Sequence, residues 1–343
     1  MGLKKFVAMR LLYGIIGLIG LSILVFILAR VLPGDPARMA LGPNASQAAV
    51  NALRAQLHLN DPLPIQYWYW ISGIFTGNWG LSLYTHRNVL IDVEQFFPAT
   101  LELIIGAAII DLIFAIPLGL AAGKMENTWV DNIIRIITYI GIAIPSFVVA
   151  IILQLTLGYG LHLFPIIGML SPNISPPPHI TGVVVIDALI TGEFNVAADA
   201  IWHLILPSFS LALGPLAQEA RLLRSGVVEN KNKDFTLNEI AQGFPERLIT
   251  FKYLLKPSLI SMISIYALDI SSIIANAFLI ELIFNWPGLS RYGLTAMLSK
   301  DLNAIIAVIL IAGILFVIAN LIVDLIVGYL DPRIGERQGE ENE

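Results

Sequence analysis

The sequence has 343 residues, of which 57% are hydrophobic and 13% are charged, and its mean hydropathy is +0.78. A soluble domain carries about a quarter charged residues, so this composition excludes a chain with an ordinary water-facing surface. The net charge of −5 excludes a basic nucleic-acid-binding surface. The absence of cysteine excludes disulfides, thiolate metal sites and thiol nucleophiles. We therefore predict an all-α polytopic membrane protein.

Six apolar runs are long enough to cross the hydrocarbon core, which takes about 20 residues in a helix. In chain order they are Leu11–Val31, Ala99–Ala122, Ile133–Leu161, Ile205–Leu223, Leu259–Phe284 and Ala304–Leu330. They are continuous rather than short and alternating, which excludes a transmembrane barrel. The first run is too long for a signal peptide and lacks a small-residue cleavage site, so we interpret it as an uncleaved span.

The distribution of lysine and arginine predicts the orientation, because these residues favour the cytoplasmic side of a membrane. With the N-terminus inside, six of the 20 lysine and arginine residues lie outside and the other 14 lie inside. The six are Arg30, Arg38, Arg54, Arg87, Arg291 and Lys300. We predict that both termini are cytoplasmic.

The spans and their connections divide the predicted chain into regions. The N-terminus and first span cover residues 1–31, and an extracytoplasmic loop region covers residues 32–98. A five-span core covers residues 99–334 and contains the only substantial inner loop, residues 225–257. The acidic tail, residues 335–343, is expected to be disordered.

The first outer loop contains the aromatic run Tyr67–Trp70, whose amphipathic rings suit a membrane interface. Two interpretations of the outer loops stay open. They can form a small cap packed on the spans, or they can dock a soluble partner directly.

The inner loop predicts two short helices with a break between them. Asp234 is suited to cap a helix over Phe235–Gln242, because its carboxylate can accept from free backbone N–H groups. Gly243 can supply the left-handed residue that ends a helix, and Pro245 suits the first turn of a second helix over Glu246–Leu255. The residues alone leave open whether this loop binds a cytosolic partner or is a solvated linker.

Eight short motifs occur in order along the chain. They are Leu32-Pro-Gly-Asp-Pro36, Phe97-Pro-Ala-Thr-Leu-Glu-Leu103, Ile116-Pro-Leu-Gly-Leu-Ala-Ala122, Ile144-Pro-Ser-Phe147, His203-Leu-Ile-Leu-Pro207, Ala220-Arg-Leu-Leu-Arg-Ser225, Glu281-Leu-Ile-Phe-Asn-Trp-Pro-Gly-Leu289 and Asp331-Pro-Arg-Ile334. Together they make the chain resemble the first permease subunit of ATP-binding-cassette importers of the dipeptide, oligopeptide and nickel class. The resemblance implies about six transmembrane helices of the binding-protein-dependent transport permease type.

The resemblance also implies that the loop around Gly243 forms the coupling helix, which sits in a groove of the cytosolic ATPase. The residues assigned to coupling in this way are Asp234, Phe235, Glu239, Ala241, Gly243, Glu246 and Arg247. The chain departs from the family pattern at Leu237-Asn-Glu239, where importers in general show Glu-Ala-Ala. It also has Glu239 where this class usually has alanine.

The partners implied by the resemblance are a second homologous permease subunit, two cytosolic ATP-binding subunits and an extracytoplasmic solute-binding protein. The assembly would lie in the lipid bilayer of a prokaryotic cell membrane, and no nucleic acid is expected. The sequence has no Gly-x-x-x-x-Gly-Lys-[Ser/Thr] phosphate loop. We therefore expect no enzymatic activity and no bound cofactor in this chain, with ATP and Mg used by the partner ATPases.

Di- or oligopeptides are the solutes that this class implies by default, with oligosaccharides or nickel as alternatives. A self-sufficient secondary transporter or channel is the alternative outside this class. Such folds often contain paired repeats and broken helices, whereas here only Pro117 and Pro145 interrupt spans, with no matching second half. A membrane-embedded enzyme would need clustered catalytic groups, and the carboxylates of the predicted spans are scattered singly.

Ionisable residues inside spans are costly and usually face the bundle interior or water. The carboxylates considered are Glu102, Asp111, Asp269, Glu281 and Asp324. We expect structural pairing or capping for Glu102 and Asp324, and no partner is evident for Asp111. No helical histidine pair has metal-ligand spacing, so no metal site is expected.

The fifth predicted span has a polar side formed by Asp269, Asn276 and nearby small residues, which permit close helix packing. We predict that Asp269 and Asn276 line the translocation path and that Glu281 contributes to an outer gate. The alternative for Asp269 is a buried, locally bonded carboxylate.

Overall fold

The computed structural model describes residues 3–31, 35–42, 44–56 and 58–330. Within these residues the regular structure is helical, with one isolated β-bridge, and the prediction of an all-α chain is confirmed. Most of the first motif, the last motif and the acidic tail lie outside the described residues.

The chain forms fourteen α-helices in its described part. They are α1 (Leu3–Val31), α2 (Pro36–Leu41), α3 (Gln47–Gln56), α4 (Leu63–Phe75), α5 (Val89–Lys124), α6 (Trp129–Ala143), α7 (Ser146–Leu153), α8 (Val184–Thr191), α9 (Phe194–Lys231), α10 (Asp234–Ala241), α11 (Glu246–Leu248), α12 (Lys256–Ile283), α13 (Leu289–Leu298) and α14 (Leu302–Leu330). Two π-helical segments, Gln154–Gly160 and Ile249–Leu255, follow α7 and α11.

Four of the described helices are long and apolar enough to cross a membrane, namely α1, α5, α9 and α14. A fifth span arises if α6 and the segment Ser146–Gly160 are taken as one, although the two are bent by 108° relative to each other. The fifth predicted run, Leu259–Phe284, is covered by α12. Within this helix, the apolar stretch Ser272–Ile283 is shorter than a full span.

The third predicted run, Ile133–Leu161, is interrupted at Pro145, as its sequence indicates, and the chain bends at Ile144 and Pro145. Ile144 has an extended backbone (φ −92°, ψ 123°), and Pro145 is the N-cap of α7. Proline disfavours the helical conformation for the residue before it and cannot donate a backbone hydrogen bond. The apolar run is therefore continuous in sequence but contains two helices.

The chain divides into two compact units. The first consists of Met1–Leu11, Leu101–Trp286 and Phe316–Glu343, and the second of Leu12–Thr100 and Pro287–Leu315. The first unit contains the inner loop and all of the predicted site residues.

In the second unit, half of the aromatic run packs on the first span. Tyr67 and Trp70 of α4 lie with ring centroids 5.4 Å and 5.6 Å from Phe26 of α1, and the Tyr67 hydroxyl is 2.8 Å from that of Ser22. Trp68 is exposed. This contact supports the interpretation of the outer region as a cap packed on the spans.

In the first unit, α5 and α9 run parallel and approach closely at a stripe of glycines. A Cβ atom at Gly119 would lie 2.7 Å from the Ala220 carbonyl oxygen and 2.8 Å from the Leu223 Cβ, and one at Gly123 would lie 2.6 Å from the Val227 Cβ. Small residues at such positions let two helix backbones come together in a membrane. The α5–α9 contact is thus specified by residues that have no side chain.

Gly119→Ala should lower the apparent melting temperature of the purified protein in detergent. The added methyl group meets backbone, so the helices must move apart, at a cost of about 1–3 kcal/mol. Gly17→Ala is the matched control, because Gly17 lies inside α1 and a Cβ there meets no heavy atom within 4 Å. Both changes raise helix propensity equally, so a drop for Gly119→Ala alone is expected, and equal behaviour of the two variants would contradict this packing.

Candidate functional site

The inner loop, residues 225–257, begins with the end of α9 and continues through α10, α11 and a π-helical segment into α12. The predicted cap of α10 is wrong by one residue, since Lys233 occupies the N-cap and Asp234 is the first helical residue. No side chain caps this helix. Asp234 instead lies in the first turn, where a negative charge is favoured by the helix dipole.

The break at Gly243 is confirmed. Gly243 has φ +78°, its N–H donates to the Ile240 carbonyl at 3.0 Å, and the Phe244 N–H donates to the Glu239 carbonyl at 3.2 Å. These two bonds are the pair that defines a Schellman helix end, with glycine in the left-handed position. Pro245 follows as the N-cap of α11, so the second helix begins at Glu246.

The inner loop presents an apolar surface to solvent. On α10 and just after it, the exposed apolar side chains Phe235, Leu237, Ile240 and Phe244 are each between 39% and 50% exposed. Asp234, Ala241, Glu246 and Arg247 are also exposed, whereas Glu239 is partly buried. Exposed apolar side chains surrounded by polar ones are typical of interaction surfaces. Six of the seven residues assigned to coupling by resemblance therefore lie on an accessible surface.

One ion pair connects the inner loop to the end of α5. The Lys124 ammonium group donates to Glu246 Oε1 at 2.7 Å, and this hydrogen bond lowers the pKa of the Glu246 carboxyl. Because Glu246 is fully exposed, the pair contributes little to the free energy of folding. Its effect is to hold the start of α11 beside α5.

A second ion pair joins α6 to α9 just before the inner loop. Arg224 Nε and Nη2 donate to Asp131 Oδ1 and Oδ2 at 2.5 Å and 2.6 Å. The Asp131 side chain is fully buried, whereas that of Arg224 is 18% exposed. This bidentate geometry is the strongest form of an arginine–carboxylate contact, and it fixes the two helices from which the loop emerges.

Two carboxylates of the predicted spans have the structural roles that were expected. Glu102 Oε1 accepts from the Val185 N–H at 2.9 Å, in the first turn of α8. Asp324 Oδ2 lies 3.3 Å from Arg10 Nε, within the first unit.

Asp111, Glu219 and Asp269 lie together in the first unit, on α5, α9 and α12. The interpretation of the span carboxylates as scattered singly is therefore wrong, because the fold brings Asp111 and Asp269 together with Glu219. Glu219 was not recognised from the sequence, although its position inside the run Ile205–Leu223 marks it as an ionisable residue in a span. In the described part of the chain, no group of three or more His, Cys, Asp or Glu side chains has a geometry that could hold a metal ion.

The residues predicted for the translocation path are mostly buried. Asp269 is 9% exposed and accepts from the Gln218 amide at 3.5 Å, and Glu281 is fully buried. The Asn276 amide donates to the Ser272 carbonyl at 2.9 Å. This geometry fits the alternative of a locally bonded Asp269, and the path role of the three residues stays a prediction.

Comparison with known proteins places both parts of the chain in one class. Residues 3–104 match the family described as the N-terminal part of binding-protein-dependent transport system membrane components, and residues 115–336 match that of binding-protein-dependent transport system inner membrane components.

Three curated relatives are similar to this chain over nearly its full length. The probable D,D-dipeptide transport system permease protein DdpB of Escherichia coli K12 is 37% identical, over 94% of each chain. The dipeptide transport system permease protein DppB of Alkalihalophilus pseudofirmus is 34% identical, over 95% of this chain and 97% of the relative. The oligopeptide transport system permease protein AppB of Bacillus subtilis is 32% identical, over 97% and 99%.

Proposed function

Because the chain belongs to the family of binding-protein-dependent transport system inner membrane components, we propose that it is a permease subunit of an ATP-driven importer of di- or oligopeptides. The observation that carries the proposal is the exposed apolar surface of the inner loop, in a chain whose relatives are named as peptide transport permeases. The chain lies in a cell membrane, as its family and its apolar helices indicate.

The inner loop transmits the movement of the ATPase to the spans. An ATPase subunit covers Phe235, Leu237 and Phe244, and its closure upon ATP binding displaces α10. The Schellman end at Gly243 fixes the relation between α10 and α11, and the Lys124–Glu246 pair lies between α11 and the end of α5. Displacement of α10 therefore moves α9, α12 and the inner end of α5 together, which opens and closes the path.

Separate subunits supply the remaining functions. ATP and Mg are bound by two cytosolic ATPases, a second homologous permease forms the other half of the path, and an extracytoplasmic binding protein delivers the solute. Import of oligosaccharides or nickel by the same machinery would appear as binding of those solutes by the delivering protein.

The proposal is tested by cross-linking, for which the cysteine-free chain is already a suitable background. A Phe235→Cys variant, isolated in membranes together with its ATPase, should form a cross-link to that ATPase with a bifunctional thiol–amine reagent. Tyr159→Cys is the control, since this exposed residue lies at the outer end of the third predicted span. A cross-link at Tyr159→Cys, or none at Phe235→Cys despite labelling of the thiol, would contradict the assignment.

The same two variants test the orientation. In intact cells whose outer barrier is permeable to small reagents, a membrane-impermeant maleimide should label Tyr159→Cys and leave Phe235→Cys unlabelled. After the membrane is opened with detergent, both should react. The reverse order of labelling would place the inner loop outside and exclude its contact with a cytosolic ATPase.

A further inference from the structure

Asp111 and Glu219 are two carboxyl groups buried inside the first unit without an ordinary partner. Both residues have no exposed surface. None of their four carboxylate oxygens accepts a hydrogen bond from any described residue. The two groups nevertheless lie within hydrogen-bonding reach of each other. Burial of a polar group without a hydrogen bond costs several kcal/mol, so this arrangement requires a donor.

No neighbouring side chain in the described part of the chain supplies that donor. The titratable groups that face the pair are Asp269 and Tyr266, both on α12. The Tyr266 hydroxyl donates to the Ala108 carbonyl at 3.2 Å, and the Gln218 amide donates to Asp269. Among the described residues, no lysine, arginine or histidine pairs with any of the three carboxyl groups.

We propose that Asp111 and Glu219 form a proton-binding site in the membrane-spanning part of the chain. One carboxyl group is protonated and its O–H donates to the carboxylate oxygen of the other. Two carboxyl groups within hydrogen-bonding reach of each other cannot both be charged in a medium of low dielectric constant. This is the reason that paired acids share a proton. The proton comes from water, no bond other than O–H forms, and the same proton returns to water when the pair separates.

The site stabilises one arrangement of the helices. Asp111 lies on α5 and Glu219 on α9, so the shared proton bridges the two helices near the contact made by Gly119. If the helices separate, the two carboxyl groups lose the hydrogen bond between them and one proton is released. The bound proton therefore favours the packed state. This inference concerns the chain itself and is independent of which solute is transported.

Infrared spectroscopy of the purified protein at neutral pH tests the proposal. The wild type should show the carbonyl stretch of a protonated carboxyl group that resists exchange with solvent. Asp111→Asn and Glu219→Gln, which retain the shape of the side chain, should each remove this band. Glu229→Gln, at an exposed position, should leave it unchanged. Absence of the band in the wild type, or its persistence in both buried variants, would overturn the proposal.

Two further experiments test whether the protonated group is Asp269 instead and whether the site holds a metal cation instead of a proton. Asp269→Asn should retain the band, and its loss in that variant alone would move the site to Asp269. The melting temperature should be the same in sodium, potassium and N-methylglucamine buffers of equal ionic strength. Sodium or potassium could instead raise the melting temperature of the wild type but not that of Glu219→Gln. This result would show a metal-cation site and overturn the proton assignment.

Discussion

Replacing Gly243 with proline should abolish solute uptake while the ATPases stay bound and active. Proline fixes φ near −65° and has no N–H, whereas Gly243 has φ +78° and donates to the Ile240 carbonyl. The Schellman end of α10 cannot form, so α10 and α11 lose their fixed relation. We expect uptake into proteoliposomes to fall by more than about tenfold, equivalent to ~1.4 kcal/mol, with ATP hydrolysis retained.

Gly243→Asn is the control for this prediction. Asparagine tolerates the left-handed region better than other residues with a side chain, and a Cβ at this position meets no neighbouring atom. Uptake by the asparagine variant should therefore stay close to that of the wild type. Normal uptake by Gly243→Pro would refute the coupling role of the loop, and equal loss in both variants would mean that the glycine is needed for contact rather than conformation.

Asp131→Ala should give the largest loss of stability among the single substitutions considered. The change removes a fully buried carboxylate and leaves the Arg224 guanidinium without its bidentate partner. Breaking a buried ion pair costs about 3–5 kcal/mol, and we expect about 3 kcal/mol because Arg224 has partial access to solvent. The apparent melting temperature in detergent and the yield of monodisperse protein should both fall.

Glu229→Ala provides the comparison, because Glu229 and Lys233 form an exposed pair one helical turn apart, with 69% and 50% of their side chains exposed. Such pairs contribute about 0–1 kcal/mol, so the melting temperature should barely change. If Asp131→Ala were as well tolerated as Glu229→Ala, the contact between α6 and α9 would not depend on this pair.

The break of the inner loop could be predicted from sequence because it is a local property. Gly243 and Pro245 restrict their own backbone angles, so their positions determine where α10 ends and α11 begins. The position of the N-cap was wrong by one residue, since no side chain caps α10 and nothing local distinguishes Lys233 from Asp234.

The carboxyl pair could not be predicted, because it depends on how helices distant in sequence pack. The whole of α6, α7 and α8 lies between Asp111 and Glu219 in the sequence, and the close approach of α5 and α9 at the glycines of α5 brings the two together. The interruption of the third run at Pro145 could be predicted, because proline restricts the backbone of the residue before it. The size of the bend, 108°, depends on how the two helices pack and could not be predicted.

Native affinity purification of this chain from its own membranes in mild detergent tests the proposed role most directly. Mass spectrometry of the eluate should identify phosphate-loop ATPases and a second permease of the same family. Recovery of the chain alone, as a stable homo-oligomer that transports solute without ATP, would contradict the importer and favour a secondary transporter or channel.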